Sequence, residues 1–319
     1  MTQRIPLPPY PNGWFAIAHA DEIAPGQIKA VTALGQELVV LRDMNGKAHV
    51  LDAYCPHLGA HLAQGGKVVG DAVQCPFHGW VFDAASGQCK AIPYAKKIPA
   101  RAAVKTWPVL ERNGLIFFHH HLEGAAPTWE PQIIPELSDP DFVQWGKREW
   151  EVPTHPQEIM ENGVDWAHFE TLHGWKVKKI HWTPDGPYYS LKIDVDTGAD
   201  EQAQTAANAD EVNSYNSGPG FLFTRAVGTM HGIVVNCLTP IAPERLRLLH
   251  IYYFHKDCAP AVYEGFMEGY LRDWALDIPI WSTKVFRPRP VLADGDGPHF
   301  GQFRKWYRQF YSPEVELPF

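Results

Sequence analysis

Short runs of apolar and β-branched residues, separated by turn residues, fill the first third of the chain. Gln36–Arg42 and Ala48–Ala53 are two such runs, and Asn45-Gly46 between them is a strong hairpin signal. Further runs of this kind are Ala72–Gln74, Gly79–Phe82 and Gly114–Phe118. Many short strands at this spacing predict a small all-β domain over residues 14–121.

The pattern changes after His121, where residues 124–142 form an irregular, proline-rich stretch. Apolar positions at helical spacing then predict a helix over Gln157–Leu172, with Gly174 placed to cap its end. A second helix is predicted from Ala261 to about Ile278, stopped or kinked by Pro279. Strand-like runs lie between these helices, over residues 187–255, and include Gly232–Cys237 and Leu246–Phe254. These elements predict a second domain over residues 122–319.

Residues 198–220 interrupt the strand pattern because they are rich in small and polar side chains. We expect this segment to be a surface loop, and a loop of this length could close over a substrate.

Composition removes several classes of function. The chain has 319 residues and a net charge of −8, which argues against a nucleic-acid surface because that would need a basic face. No apolar stretch is long enough to span a bilayer, and the first residues lack the apolar core of a signal peptide. A cytoplasmic protein is therefore expected.

Aromatic residues make up 13% of the chain, which is enough to build a large core or to line a pocket with aromatic walls.

Two short motifs in the first domain combine cysteine with histidine. Cys55-Pro-His57 and Cys75-Pro-Phe-His78 each offer one thiol and one imidazole. A Rieske [2Fe–2S] cluster needs two cysteines on one iron and two histidines on the other, which fits this pairing. A Cys2His2 zinc site is the alternative, although zinc knuckles usually pair cysteine with cysteine. An odd total of five cysteines does not suggest a disulfide framework.

A third motif lies in the first predicted helix, where Asp165, His168 and His173 are spaced as D-x2-H-x4-H. Two histidines and one carboxylate are the ligands of non-haem iron oxygenases. His168 and His173 would point about 140° apart in an unbroken helix, so both can reach one metal only if the helix ends first. Asp273 and Asp277, one turn apart on the second helix, are the candidates for the carboxylate.

The chain resembles Rieske non-haem iron oxygenases through Cys55-Pro-His57-Leu-Gly59, Cys75-Pro-Phe-His78-Gly-Trp80 and the N-x2-D-x2-H-x4-H motif that begins at Asn162. Respiratory Rieske proteins usually carry an additional cysteine in each loop, where this chain has Ala60 and Phe77. The segments Asp277–Trp281 and Arg304–Tyr311 resemble bacterial 3-ketosteroid 9α-hydroxylase oxygenases and cholesterol 7-desaturases.

The resemblance implies an α+β fold, with an all-β Rieske domain followed by an antiparallel sheet domain of the helix-grip (START) type. It implies a [2Fe–2S] cluster on Cys55, His57, Cys75 and His78, and a mononuclear Fe(II) on His168, His173 and Asp277. Asp273 would then face solvent or support the site. Asn162 is implied beside the iron, and Asp165 is implied as the bridge for electrons between the two centres.

The resemblance also implies a homotrimer that takes dioxygen as co-substrate. Electrons from NAD(P)H would reach it through a separate reductase, with or without a ferredoxin, since the chain lacks a nucleotide-binding fingerprint. A steroid-hydroxylating monooxygenase is the favoured interpretation. The alternatives are a Rieske monooxygenase or demethylase acting on another aromatic or hydrophobic compound, a pure electron-transfer protein, and a zinc-binding module.

Overall fold

The computed structural model of the chain describes residues 4–195, 209–228, 231–296 and 298–319. It divides into two compact units, one of which is Trp14–Thr128. The other combines the residues up to Gly13 with Trp129–Phe319. The sequence placed the boundary after His121 and did not assign the N-terminal segment to the second domain.

The N-terminal segment joins the second unit through apolar contacts that have no periodic signal in the sequence. Ile5 and Leu7 are buried against Phe286 and Phe319. Arg4 adds hydrogen bonds to main-chain carbonyl groups, among them that of Trp281 at 3.0 Å. These contacts explain why the segment belongs to the second unit although it directly precedes the first strand of the other one.

The N-terminal unit is built from strands alone, apart from one short 3-10 turn. Its strands are β1 (Gly13–His19), β2 (Ile28–Ala33), β3 (Gln36–Arg42), β4 (Ala48–Asp52), β5 (Lys67–Val69), β6 (Ala72–Gln74), β7 (Val81–Asp83), β8 (Cys89–Ala91), β9 (Thr106–Trp107), β10 (Val109–Arg112) and β11 (Leu115–His120). They form three antiparallel sheets, in the orders β1-β11-β10, β2-β3-β4-β9 and β5-β6-β7-β8. The predicted all-β domain is therefore confirmed.

The second unit contains one antiparallel sheet of seven strands in the order β12-β18-β17-β16-β15-β14-β13. Its strands are β12 (Phe142–Val152), β13 (Val177–Asp185), β14 (Tyr188–Val195), β15 (Ala209–Ser217), β16 (Phe221–Gly228), β17 (Gly232–Ala242) and β18 (Arg245–His255). Its helices are α1 (Pro156–Asn162), α2 (Trp166–Thr171), α3 (Pro260–Thr283) and α4 (His299–Tyr307). This arrangement confirms the predicted α+β class.

Helix α3 packs its apolar residues against the sheet. Tyr263 and Phe266 of α3 are buried with Tyr252 and Phe254 of β18. Burial of one large apolar side chain contributes about 1.5–3 kcal/mol, so this contact holds the helix firmly against the sheet.

The first predicted helix is in fact two helices, which corrects the expectation for Gln157–Leu172. Helix α1 ends at Asn162, and Asp165 caps α2 by accepting the N–H of His168 at 3.4 Å. Asp is a strong N-cap residue, so a new helix can begin there after Gly163 and Val164. Apolar spacing continues across this break, which is why the sequence suggested one helix.

The predicted surface loop over residues 198–220 is wrong for its second half. Ala209–Ser217 is strand β15, paired with β14 on one side and with β16 on the other. Polar side chains occupy both faces of this strand, so its sequence lacks the usual apolar alternation. Residues 196–208 lie outside the described residues.

The sequence predicted that Pro279 stops or kinks this helix; the stop is wrong, because α3 continues through Pro279 to Thr283. The kink stays a prediction. Pro279 removes one main-chain donor, but Trp281 beyond it is buried to 2% exposure. We attribute the continuation to this packing.

Among the described residues, no helix combines the length and the apolar character that crossing a bilayer requires.

Candidate metal centres and substrate pocket

Two loops of the N-terminal unit share one backbone conformation. The first follows β4 and begins at Cys55, and the second follows β6 and begins at Cys75. In each loop the glycine four residues on, Gly59 or Gly79, adopts φ of +73° or +71°. Its N–H donates to the cysteine carbonyl, at 3.0 Å in the first loop and 3.2 Å in the second. Left-handed backbone favours glycine, so these positions explain the C-x-H-x-G and C-x2-H-G spacings.

The loops bring their four predicted ligands together. Cys55 and Cys75 are buried, with the two thiols in direct contact. The rings of His57 and His78 lie 4.6 Å apart, and Trp80 stacks on His57 at 4.6 Å. Burial first, and then the neighbouring Cys75 thiol, raise the pKa of the Cys55 thiol to about 11. Thiolates at this site therefore need bound cations to stabilise them.

The geometry of these residues distinguishes a two-metal cluster from a single zinc ion. A zinc ion binds its donors at about 2.0–2.3 Å, which brings all of them close to one another. The described residues contain one group of at least three candidate metal ligands whose donor atoms all lie within 4.8 Å of one another. This group is His168, His173 and Asp277, and no residue of the two loops belongs to it. Nδ1 of His57 is buried and makes no hydrogen bond to any residue that the structure describes. A cysteine pair and a histidine pair held apart fit a [2Fe–2S] cluster.

His168, His173 and Asp277 are brought together by the end of one helix and the face of another. His168 lies in α2, and His173 follows the end of α2 at Thr171, as the spacing required. Gly174 turns the chain with φ of +71°. Asp277 of α3 completes the group, with Oδ2 3.4 Å from Nε2 of His173. Two imidazoles and one carboxylate at this distance can bind one metal ion.

His168 is prepared to offer Nε2 to a metal. Its Nδ1 hydrogen bonds to the main-chain carbonyl of Asp165, which leaves the lone pair on Nε2. Burial lowers the pKa of His168, so the neutral imidazole that metal binding needs is favoured. The amide Nδ2 of Asn162 lies 2.9 Å from this Nε2 and 3.4 Å from Oδ1 of Asp277. Asn162 is thus beside the candidate ligands, as the resemblance implied.

His173 has a different partner, the carboxylate of Asp273. Oδ1 of Asp273 lies 3.6 Å from Nδ1 of His173, and Oδ2 accepts a hydrogen bond from Nε1 of Trp175 at 3.2 Å. Asp273 is buried, so its expected exposure to solvent is wrong and its expected support of the site agrees with the structure. Burial raises the pKa of Asp273 to about 6. No sequence motif pointed to Trp175 as part of the site.

A pocket opens beside the candidate metal ligands, and the empty space in and in front of it, open solvent included, is about 820 Å³. Its walls are mainly apolar and aromatic, as in most small-molecule sites. The walls are formed by Ile159, Met160, Phe169, Trp175, Tyr189, Leu191, Ile193, Val212, Leu222, Trp274 and Trp281. The sequence did not locate these residues, because they come from three strands, three helices and the segment that follows α2.

Four polar residues, which we call the polar strip, interrupt the apolar walls: Ser214, Asn216, Thr224 and Tyr270. Ser214 faces Thr224 across strands β15 and β16. Nδ2 of Asn216 donates to Oγ of Ser214 at 3.3 Å. Tyr270 precedes Asp277 by two turns of α3, which places its Cα about 10 Å along the helix from that of the candidate ligand.

Comparison with known families assigns both units. Residues 13–108 match the Rieske [2Fe-2S] domain, and residues 118–311 match the 3-Ketosteroid 9alpha-hydroxylase C-terminal domain. The chain is 37% identical over 348 residues to cholesterol 7-desaturase nvd 1 of Ciona intestinalis, covering 98% of this chain and 72% of that one. It is 33% identical over 327 residues to the 3-ketosteroid-9-alpha-monooxygenase, oxygenase component, of Rhodococcus rhodochrous, covering 95% and 84%.

Solved structures share the fold. The NdmA protein of Pseudomonas putida CBB5, solved with caffeine, superposes with a TM-score of 0.73 at 19% identity, covering 92% of this chain and 89% of that one. Dicamba monooxygenase bound to dicamba gives a TM-score of 0.69 at 18% identity, covering 93% and 96%. The family assignments rest on the sequence matches to both domains and to full-length relatives. The chain belongs to the Rieske non-haem iron oxygenases, in the group whose C-terminal domain is that of 3-ketosteroid 9α-hydroxylase.

Proposed function

We propose that this protein is the terminal oxygenase of a system that oxidises a steroid, with dioxygen as co-substrate and NAD(P)H electrons supplied by a separate reductase. The observation that carries the proposal is one pocket in which two imidazoles and a carboxylate adjoin apolar, aromatic walls. Relatives named for cholesterol and for 3-ketosteroids support the substrate class. The word component in the name of the Rhodococcus relative supports a separate reductase.

Each of the two units would hold one metal centre. Cys55, His57, Cys75 and His78 would hold the [2Fe–2S] cluster, and His168, His173 and Asp277 would hold a mononuclear Fe(II). When bound, the cluster transfers single electrons and the iron activates dioxygen, so that one oxygen atom enters the substrate and the other leaves as water. The protein itself orients the ligands, holds the substrate and excludes water from the pocket.

The apolar and polar residues that line the pocket suit a steroid. A steroid is a rigid, apolar ring system with an oxygen substituent, and the pocket offers large apolar walls interrupted by the polar strip. Asn216 and Thr224 are both buried, so a substrate oxygen that reached them would gain hydrogen bonds shielded from water. Burial of the ring system against aromatic side chains would supply most of the binding free energy.

Asp165 is proposed to link the cluster of one subunit to the iron site of the next, in a homotrimer. Its carboxylate accepts the N–H of His168, and its carbonyl accepts Nδ1 of the same residue. Around the cluster loops, Leu58, Phe77 and Tyr94 are 65%, 63% and 62% exposed and form an apolar rim. Packing of this rim on a neighbouring subunit would remove its apolar surface from water.

Asp165→Asn tests the bridge, because Asn caps a helix about as well as Asp and so preserves α2. We expect the variant to keep the cluster spectrum and the full iron content, while electron transfer from the reduced cluster slows in single-turnover experiments. Unchanged transfer would contradict the bridge.

The homotrimer is checked by sedimentation of the full chain, where a monomer at working concentration would contradict it.

A turnover screen tests the substrate class. Purified protein, a surrogate reductase and NADH are offered 3-ketosteroids, sterols and methoxylated aromatic compounds, and products are identified by mass spectrometry. A mass gain of one oxygen on a ketosteroid would identify hydroxylation, and a loss of two hydrogens from a sterol would identify desaturation. Activity restricted to methoxylated aromatics would contradict the steroid proposal and favour a demethylase.

A further inference from the structure

Asp273 occupies a position one turn before Asp277, on the same side of α3. It is 7% exposed, and both of its oxygens face donors on the segment that follows α2. Oδ2 accepts from Nε1 of Trp175 at 3.2 Å, and Oδ1 faces Nδ1 of His173 at 3.6 Å. The carboxylate therefore lies between a fixed indole donor and the outer nitrogen of a candidate metal ligand.

The two facing atoms have no hydrogen bond elsewhere. Nδ1 of His173 and Oδ1 of Asp273 are both buried, and within the described residues neither makes a hydrogen bond. An approach of about 0.7 Å would bring them to the usual N–H···O distance of about 2.9 Å. Buried polar atoms are rarely left without partners, so each is the natural partner of the other.

The two histidines of the site differ in what holds their outer nitrogen. Nδ1 of His168 bonds to the main-chain carbonyl of Asp165, which no side-chain substitution removes. Nδ1 of His173 instead faces the side chain of Asp273. With the proton held on Nδ1, the lone pair of Nε2 points towards Asp277, 3.4 Å away. The orientation of His173 is thus open to a test by mutation.

We infer that Asp273 is a positioning residue for His173, which it holds in the tautomer that offers Nε2 to the metal, while Trp175 fixes Asp273. The inference rests on the metal site of the proposed function. A carboxylate bonded to the outer nitrogen of a ligand histidine both orients the ring and makes it a stronger donor.

The chemistry of an amide provides a sharp test. A carboxylate can accept from both His173 and Trp175, whereas the amide of Asp273→Asn has one acceptor oxygen and can satisfy only one of them. Trp175→Phe removes the competing donor, so in the double variant the amide oxygen can turn towards His173. The single substitution should therefore weaken metal binding, and the second substitution should restore part of it.

The measurement uses the full chain with its [2Fe–2S] cluster in place and oxidised, a form without an EPR signal. Co(II) is titrated against a chelator, and its high-spin EPR signal reports occupancy and ligand field. We expect Asp273→Asn to lose about 10- to 100-fold in Co(II) affinity and to shift the signal. The double variant should recover part of the loss, and Trp175→Phe alone should lose less than Asp273→Asn.

Glu268→Gln is the matched control, since it removes an exposed carboxylate from the same helix and should leave Co(II) affinity unchanged. Wild-type affinity in Asp273→Asn, or no recovery in the double variant, would overturn the inference. Failure of the wild-type chain to bind Co(II) outside the cluster would instead overturn the metal site itself.

Discussion

Nδ2 of Asn162 lies 2.9 Å from Nε2 of His168, so the amide donates to the lone pair that a metal ion would accept. The same nitrogen is 3.4 Å from Oδ1 of Asp277. Asn162 is the last residue of α1, and the helix break after it brings its amide to the site. A neutral amide beside the three ligands leaves room for dioxygen and substrate, which a fourth protein ligand would restrict.

Asn162→Asp should raise metal affinity and lower turnover. The new carboxylate replaces a donor with an acceptor, so it can bind a divalent cation together with Asp277 and the two histidines. Chelator competition with Co(II) measures the affinity, and we expect an increase of about tenfold with turnover reduced by a similar factor. Asn162→Ala provides the control, because it removes the amide without adding charge and should raise affinity less than Asn162→Asp does. Equal affinities of Asn162→Asp and the wild type would contradict this placement.

Asn216→Leu should weaken recognition of the oxygen substituent of the substrate. Asn216 is 2% exposed and belongs to the polar strip, so Leu would leave a substrate oxygen buried without a donor. The cost of an unsatisfied buried polar group is about 1–3 kcal/mol, which corresponds to an increase in KM of about 5- to 150-fold.

The control for this prediction is Asn213→Leu, which makes the same change on the opposite face of β15. Steady-state kinetics on a ketosteroid and on its analogue without the oxygen separate the two effects. The Asn216→Leu variant should lose the preference for the oxygenated compound, and a preference equal to that of the wild type would contradict the role of the polar strip.

The sequence could predict those parts of the molecule whose geometry depends on residues close together in the chain. Short turns determine the relative positions of Cys55 and His57, and of their counterparts in the second loop. The spacing of each motif therefore predicts its local geometry. The contact of His173 with Asp273 could not be predicted in the same way, because it depends on how α3 packs across the sheet. Strand β15 was missed for a related reason, since its polar residues are stabilised by neighbouring strands and by the pocket they line.

Arg304→Met should destabilise the second unit strongly. Nε and Nη2 of Arg304 donate to the two carboxylate oxygens of Glu161 at 2.7 and 2.8 Å, and both side chains are buried. Loss of the arginine leaves a buried carboxylate without its partner, at a cost of about 3–5 kcal/mol. Thermal unfolding checks this as a fall in the transition temperature of the second unit.

Two further variants define the cause of that destabilisation. Adding Glu161→Leu to Arg304→Met removes the stranded charge, so much of the loss should be recovered. Arg245→Met breaks the exposed pair with Glu151 and should change stability by at most about 1 kcal/mol. A larger effect of Arg245→Met than of Arg304→Met would contradict the importance of the buried pair.

The stability of the second unit should fall as the pH decreases below about 6.5, in part through His250. His250 is fully buried on β18, and neither of its ring nitrogens makes a hydrogen bond within the described residues. The aromatic residues around it are Trp150, Tyr252, Tyr270 and Trp274. Burial lowers the pKa of His250 to about 3.

The sign of the effect follows from which state binds the proton. The unfolded chain protonates this histidine below about pH 6.5, whereas the folded protein keeps it neutral down to about pH 3, so acid favours unfolding by about 2 kcal/mol at pH 5. His250→Leu removes this contribution, so its thermal midpoint should fall less than that of the wild type between pH 7 and pH 5. His181→Leu, at an exposed histidine of β13, should leave the wild-type slope unchanged. Parallel pH profiles for His250→Leu and the wild type would show that His250 is protonated in the folded state, contrary to its burial among aromatic rings.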